Sequence, residues 1–313
     1  MVDYSSPGDP RLEALDRLHV GFSQQEKAMA GIDALRKHGR RDETARAGFF
    51  VGPSRSGKTR TAKLYMHEMN RGARQAGAPT DPVLYITLPA QCTPKSLNEE
   101  LLHAIRHPEP CRGTSTQLTI KAGQSLMARG VQLVIIDEIH HLKSLTTRTV
   151  GQKVAHHIKT FLNSTSIPML FVGVPRALDL KKSDKELNWR TQYEIPIRPL
   201  DWWDRQQQHE FRAILDQFES VLPFSRRSEL DAKDLAARIH FATGGLVGAV
   251  SDLIYQTTTL ALTRQRPCLT REDFADTYEH QFGLTLGKKS NPFRIKTLPE
   301  RWNPAANDFG DPE

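Results

Sequence analysis

Short, continuous apolar runs alternate with amphipathic stretches through the first two-thirds of the chain, and after Pro199 only amphipathic stretches remain. From Phe22 to Lys37 apolar positions recur at helical spacing, which predicts a helix leading into a first strand, AGFFV at 47–51. The same reading gives a helix after Lys58, a strand at 82–88 (PVLYITL), and helices near 95–106 and 116–128. A strand at 132–137 (QLVIID), a helix over about 150–163, and strands at 168–174 (PMLFVGV) and 193–197 (YEIPI) follow. Apolar strands separated by helices predict an α/β fold: a parallel five-stranded sheet covered on both faces.

Beyond Pro199, WWDRQQQHEFRAILDQFESVL, SELDAKDLAARIHFATG, GLVGAVSDLIYQTTTLALTR and TREDFADTYEHQF each read as helix, which makes a small all-helical lid domain. The division expected is an N-terminal arm over 1–20, an α/β nucleotide-binding domain over 21–199, the lid over 200–286 and a flexible tail over 287–313. Phe293, Trp302 and Phe309 are spaced among prolines in that tail. They read either as part of simple disorder or as anchors for a partner surface.

Composition narrows the class. With 38% hydrophobic and 25% charged residues in 313, the chain is ordinary for a folded soluble protein. Lys and Arg outnumber Asp and Glu by 43 to 36, a net +7 that permits a polyanionic partner without requiring one. Cys92, Cys111 and Cys268 share no metal-ligand spacing and read as reduced thiols. The start, MVDYSSPGDPR, shows no secretory pattern, and runs such as IPMLFVGV are too short to span a bilayer, so the expected place is the cytoplasm, with no membrane partner.

The chemistry is concentrated in two motifs. GPSRSGKT matches the phosphate-binding pattern G-x-x-x-x-G-K-[ST] and lies between an apolar strand and a helix. Glycines there let backbone N–H groups turn inward, and the helix N-terminus adds partial positive charge. Gly52, Pro53, Ser54, Arg55, Ser56, Gly57, Lys58, Thr59 and Arg60 are the expected ATP cradle, with Lys58 on the β- and γ-phosphates and the Thr59 hydroxyl on Mg²⁺. In VIIDEIHHL, Asp137 ends a strand and is the second expected Mg²⁺ ligand, and Glu138 is the candidate base for the attacking water. His140, His141, His156 and His157 lack the spacing of a metal site and read as surface histidines.

Arg190, just before the last strand, can act as a catalytic finger toward a neighbouring subunit or be an ordinary surface arginine. Lys95, Lys121, Lys143, Arg148 and Lys153 flank the Asp137 strand and read equally as DNA-backbone contacts or as a solvated face.

Strand, phosphate loop, insert, Asp-Glu strand, pre-strand arginine and helical lid together resemble an AAA+ P-loop NTPase. LVIIDEIHHL, IPMLFVGVPRAL, DKELNWR, LPFSRRSEL and ATGGLVGAVSDLI resemble the TniB/TnsC family, AAA+ regulators of DNA transposition, over roughly residues 20 to 280. The resemblance implies an ATPase that polymerises on double-stranded DNA as a homo-oligomeric ring or filament. It also implies recruitment of a DDE-type transposase with a TniQ-like adaptor, a trans role for Arg190 and a DNA contact at Lys95. Two departures stand out. Many AAA+ proteins end the fourth strand with a polar residue where this chain has Gly173 and Val174, and many carry an arginine where GGLVGAV stands. Slow, regulatory hydrolysis is the expectation. A helicase-loader or initiator-like protein of replication, and a nucleotide-gated scaffold without nucleic acid, remain the other readings.

Overall fold

The five apolar segments pair as β1 (Ala47–Val51), β2 (Val83–Thr87), β3 (Leu133–Asp137), β4 (Met169–Gly173) and β5 (Tyr193–Pro196). This is seen in a computed structural model that describes residues 9–41, 44–90, 92–141, 148–282 and 291–300. The sheet is parallel throughout, in the order β2-β3-β4-β1-β5. Every residue of β1, β3 and β4 is buried, as continuous apolar strands covered on both faces must be, while the edge strands β2 and β5 leave part of their residues open. In the central register Phe49 faces Phe171 with ring centroids 5.3 Å apart.

Around the sheet run α1 (Ser23–His38), α2 (Lys58–Gln75), α3 (Pro94–Ala104), α4 (Ser115–Ala128), α5 (Arg148–Thr165), α6 (Leu178–Lys182) and α7 (Lys185–Arg190). Local sequence sets several of their starts. Thr93 with Ser96, and Thr114 with Gln117, form reciprocal capping boxes at α3 and α4, and Asp184 accepts from Leu187 N at α7. Because all strands run the same way, their carboxyl ends share one edge, and there β1 delivers the phosphate loop and β3 delivers Asp137.

The described residues fall into two compact units: one within 24–52 and 58–197, the other formed by those up to Ser23, Pro53–Gly57 and those from Arg198 on. The second contains α8 (Arg205–Glu219), α9 (Lys233–Thr243), α10 (Val247–Thr263) and α11 (Arg271–Phe282). Asp204 caps α8 by accepting from Gln206 N and Gln207 N, so the helix begins after the Trp-Trp pair, not within it.

Two stretches differ from the sequence reading. In the segment expected as an arm, Leu12, Leu15 and Val20 are buried, and Gly21 exchanges two 3.0 Å hydrogen bonds with the Gln217 side chain of α8. In the expected flexible tail, Phe293 is buried and stacks on Phe274 at 5.3 Å. The buried Arg238 guanidinium donates to the carbonyls of Pro292 (2.6 Å), Ile295 (2.9 Å) and Lys296 (3.2 Å), and Arg271 donates to Phe293 O and Ile295 O. Arginine forks satisfy these carbonyls where no helix or strand does. Trp302 and Phe309 lie outside the described residues.

Candidate active site

The phosphate loop leaves β1 at Gly52, whose N–H donates to Gly173 O of β4 at 3.3 Å. Gly57 sits at φ +91°, a conformation that favours glycine, and Arg55 is left-handed at φ +61°. Ser56 N closes a turn onto Pro53 O at 3.3 Å. Lys58 opens α2, is nearly buried, and donates from Nζ to Gly52 O at 2.8 Å. The ammonium is thus folded back over its own loop, at the position the pattern gives it for phosphate.

Asp137 is buried at the end of β3 and is held by three donors. The Thr59 hydroxyl donates to Oδ2 at 2.7 Å, the Tyr85 hydroxyl donates to the same oxygen at 2.6 Å, and Glu138 N donates to Oδ1 at 2.8 Å. Burial, and then the carboxylate beside it, raise the Tyr85 phenol above its ordinary pKa, so it remains a donor at neutral pH. A hydroxyl and a carboxylate brought together from two motifs form a hard oxygen set that fits Mg²⁺, which would screen phosphate charge there. Tyr85 is a site residue the sequence reading missed. It lies inside PVLYITL, where its ring reads as strand core and its hydroxyl goes unnoticed.

Glu138 takes φ +57°, and Ile139–His141 form a single 3₁₀ turn with His141 N donating to Glu138 O at 2.9 Å. His140 Nδ1 comes 3.2 Å from Glu138 Oε2 but lacks the alignment of a hydrogen bond. The His141 ring is anchored by Nδ1 on Leu88 O at 3.1 Å. These two are therefore half-buried groups beside Glu138, not the surface histidines expected. Of the other pair His156 is exposed, while burial pushes His157 down to about 4.

The two departures have a steric basis. A Cβ at Gly173 would stand 3.0 Å from Ile139 Cγ2 and 3.4 Å from Ala177 Cβ, so the turn after Asp137 fills the space a polar side chain would need. At the start of α10 the close approach is to the phosphate loop, because a Cβ on Gly248 would overlap Arg55 O. Two residues beyond the GGLVGAV stretch, Asp252 of α10 pairs with Arg55 at 3.3 Å. Burial raises the Asp252 carboxyl pKa, and Arg55 opposes that.

Arg190 closes α7 with Nη2 on Glu186 Oε1 at 2.7 Å and Nη1 on Asn163 Oδ1. Beside it Trp189 is 71% exposed, the most open large hydrophobic residue among those described. Lys95 is half-exposed on α3 and lies 3.6 Å from Glu99. Lys121 donates to the carbonyls of Glu109 and Arg112 at 3.2 and 3.1 Å, so it ties down the preceding loop and is no free cation. Lys143 lies outside the described residues, as do the side chains of Arg148 and Lys153 in α5.

The model of the family described as bacterial TniB protein matches residues 13–197. The chain belongs to the TniB family. Comparison with curated proteins gives no match. Among solved structures, this TniB-family chain is similar to Cdc6p from Pyrobaculum aerophilum at 16% identity, with a TM-score of 0.64 over 89% of this chain and 74% of that one. The Aeropyrum pernix ORC1 protein in complex with DNA gives 15% identity and a TM-score of 0.64 over 86% and 69%. The ORC2 protein of the same organism, in ADPNP-ADP complexes, gives 12% and 0.61 over 88% and 74%. The fold they share is that of AAA+ ATPases, and the TniB-family chain is an ATPase of this class. No helix among the described residues is long and apolar enough to cross a membrane.

Proposed function

We propose that this TniB-family ATPase is a nucleotide-gated regulator of DNA transposition. On this reading it binds ATP–Mg²⁺ at the cradle Gly52 to Arg60 with Asp137, and assembles with itself on double-stranded target DNA as a ring or filament. The assembly then recruits or activates a DDE-type transposase, with a TniQ-like adaptor selecting the site. The observation that carries the reading is the TniB match over a chain whose Thr59 hydroxyl and Asp137 carboxylate meet at 2.7 Å.

Glu138 polarises the attacking water, Lys58 meets the β- and γ-phosphates, and Arg190 reaches a neighbouring subunit's nucleotide after leaving Glu186 and Asn163. Glycine at 173 and the absence of an arginine at the head of α10 support slow hydrolysis. Such a cycle works as a switch: the ATP state assembles, the ADP state releases, and differential binding between the two states carries the function. DNA as partner is supported by the basic balance of the chain and by its likeness in fold to an ORC1 protein that binds DNA. That same likeness favours, as second reading, a loader or initiator-like role in replication.

Electron microscopy of the protein with duplex DNA and Mg²⁺ tests this, comparing a non-hydrolysable ATP analogue with ADP and repeating with Lys58→Ala. Rings or filaments on DNA with the analogue alone are expected. Particles indifferent to both DNA and nucleotide would overturn the reading in favour of a scaffold without nucleic acid.

A further inference from the structure

Glu138, His140 and His141 each offer a ligand atom, and the three atoms lie within 4.8 Å of one another. The turn after Asp137 gathers them: Glu138 is left-handed, the 3₁₀ turn Ile139–His141 follows, and the fully buried Ile139 is the one side chain of the four devoted to the core. Each imidazole is arranged for a cation. A carbonyl accepts only, so the 3.1 Å contact of His141 Nδ1 with Leu88 O places the proton on Nδ1 and leaves the lone pair on Nε2. His140 Nδ1 is buried without a hydrogen-bond partner among the described residues, a state that costs free energy and calls for an explanation.

The 3.2 Å between His140 Nδ1 and Glu138 Oε2 is short, yet the two are not aligned as donor and acceptor. Ligands of one tetrahedral ion stand in that relation: with metal–ligand bonds of about 2.0–2.1 Å, neighbouring ligand atoms are about 3.3 Å apart. The end of β4 lies directly against the cluster: a Cβ on Gly173 would stand 3.6 Å from His140 Nδ1, an ordinary contact distance.

We propose that Glu138, His140 and His141 form a site for a divalent transition-metal ion of the Zn²⁺ type, with water in the fourth position. Two imidazoles and a carboxylate are the donor set of open, three-ligand zinc sites. It is a softer set than the hydroxyl and carboxylate of Thr59 and Asp137, which suit Mg²⁺, so the two sites select different ions. Closing the ligand set to tetrahedral spacing moves no pair by more than about 1.5 Å, within reach of rotamer changes. An ion held there engages the Glu138 carboxylate and withdraws it from the attacking water, while Lys58, Thr59 and Asp137 stay available to nucleotide. Zinc therefore arrests hydrolysis with ATP bound; this consequence rests on Glu138 being the base, and the binding itself does not.

Co²⁺ titration of the full chain, followed by visible absorption, tests the site. The bands of four-coordinate Co²⁺ are expected in the wild type, with affinity lowered at least about tenfold in His140→Ala and His141→Ala. They are expected unchanged in His103→Ala, whose Nε2 lies 3.5 Å from Cys111 Sγ and is the control for a competing pair. His140→Gln, checked for retained binding of a fluorescent ATP analogue, excludes misfolding as the cause. Equal Co²⁺ affinity in the wild type and the His140 and His141 variants, or no such bands, would overturn the site and leave His140 as a neighbour of Glu138 only. In a second arm Zn²⁺ is added to the ATPase assay, where a fall in rate is expected in wild type and not in His140→Ala. Bands that depend on His140 and His141 without any inhibition would uphold the site and overturn Glu138 as the base.

Discussion

Gly248 shows how a single missing methyl group can shape the nucleotide site. Its α-carbon lies so close to the Arg55 carbonyl that Gly248→Ala must push α10 away from the phosphate loop or distort the loop itself. The expected result is a loss of about 1–3 kcal/mol, the usual range for overpacking, read by chemical denaturation, together with weaker binding of a fluorescent ATP analogue. His240 acts through its proton. Burial pushes it down to about 4, against the opposing pull of the Leu200 carbonyl and Asp201, while in the unfolded chain it titrates near 6.5. The folded state then binds fewer protons than the unfolded one between those values, so stability present above pH 6.5 is lost as pH falls toward 4. A slope of about 1.4 kcal/mol per pH unit is expected from this group in urea melts taken across that window, and His240→Gln should flatten it. At this scale the sequence yields identity without orientation. Gly52, Gly57, Lys58, Thr59 and Asp137 declare themselves by spacing, but the third donor to Asp137, Tyr85, is hidden because a strand pattern cannot show where a hydroxyl ends.

Among the elements, the segment around Phe293 is the least legible. A stretch rich in Pro, Asn and charge has too few apolar residues to announce a packed structure, yet one aromatic ring on Phe274 and two arginines on its carbonyls hold it against α9 and α11. Phe293→Ala is expected to cost about 3–5 kcal/mol and to open the segment 291–296 to limited proteolysis; a cleavage pattern identical to wild type would contradict this. The five strands were the easiest to read. Apolar runs such as LVIID and MLFVG have no alternative to a covered sheet, and the observed strands fall within a residue or two of the expected ends. The N-terminal segment was harder, because Leu12 and Leu15 are two buried side chains in a polar stretch, and it takes the Gly21–Gln217 pairing to show where the chain is pinned. Helix periodicity likewise identified α9 and α10 but not their caps: Gly244 and Gly245 end one helix at φ +62° and +74°, and the next starts only at Val247.

For the whole molecule, what matters is which charges remain for a partner. The net +7 spreads over many groups already engaged, Lys121 and Arg238 among them, while Lys95 keeps its side chain half in solvent beside Glu99. Charge reversal by Lys95→Glu is expected to weaken duplex DNA binding and to reduce its dependence on salt by about one phosphate contact per subunit, leaving nucleotide binding by the isolated chain intact. Fluorescence anisotropy across a salt series reads both, and an equal loss of DNA and nucleotide binding would argue against a DNA contact. Trp189 adds an optical handle on the same question. An indole that is 71% open to water emits at the red end of its range, and it stands next to Arg190, the side chain assigned to reach a neighbouring subunit. On the proposed assembly, seating Arg190 against a neighbouring subunit removes water from this ring, so ATP and DNA should shift the emission to the blue in the wild type and not in Trp189→Phe. On the proposed assembly, Trp189 is a built-in dye for subunit contact, and the moment of assembly can be timed without a label.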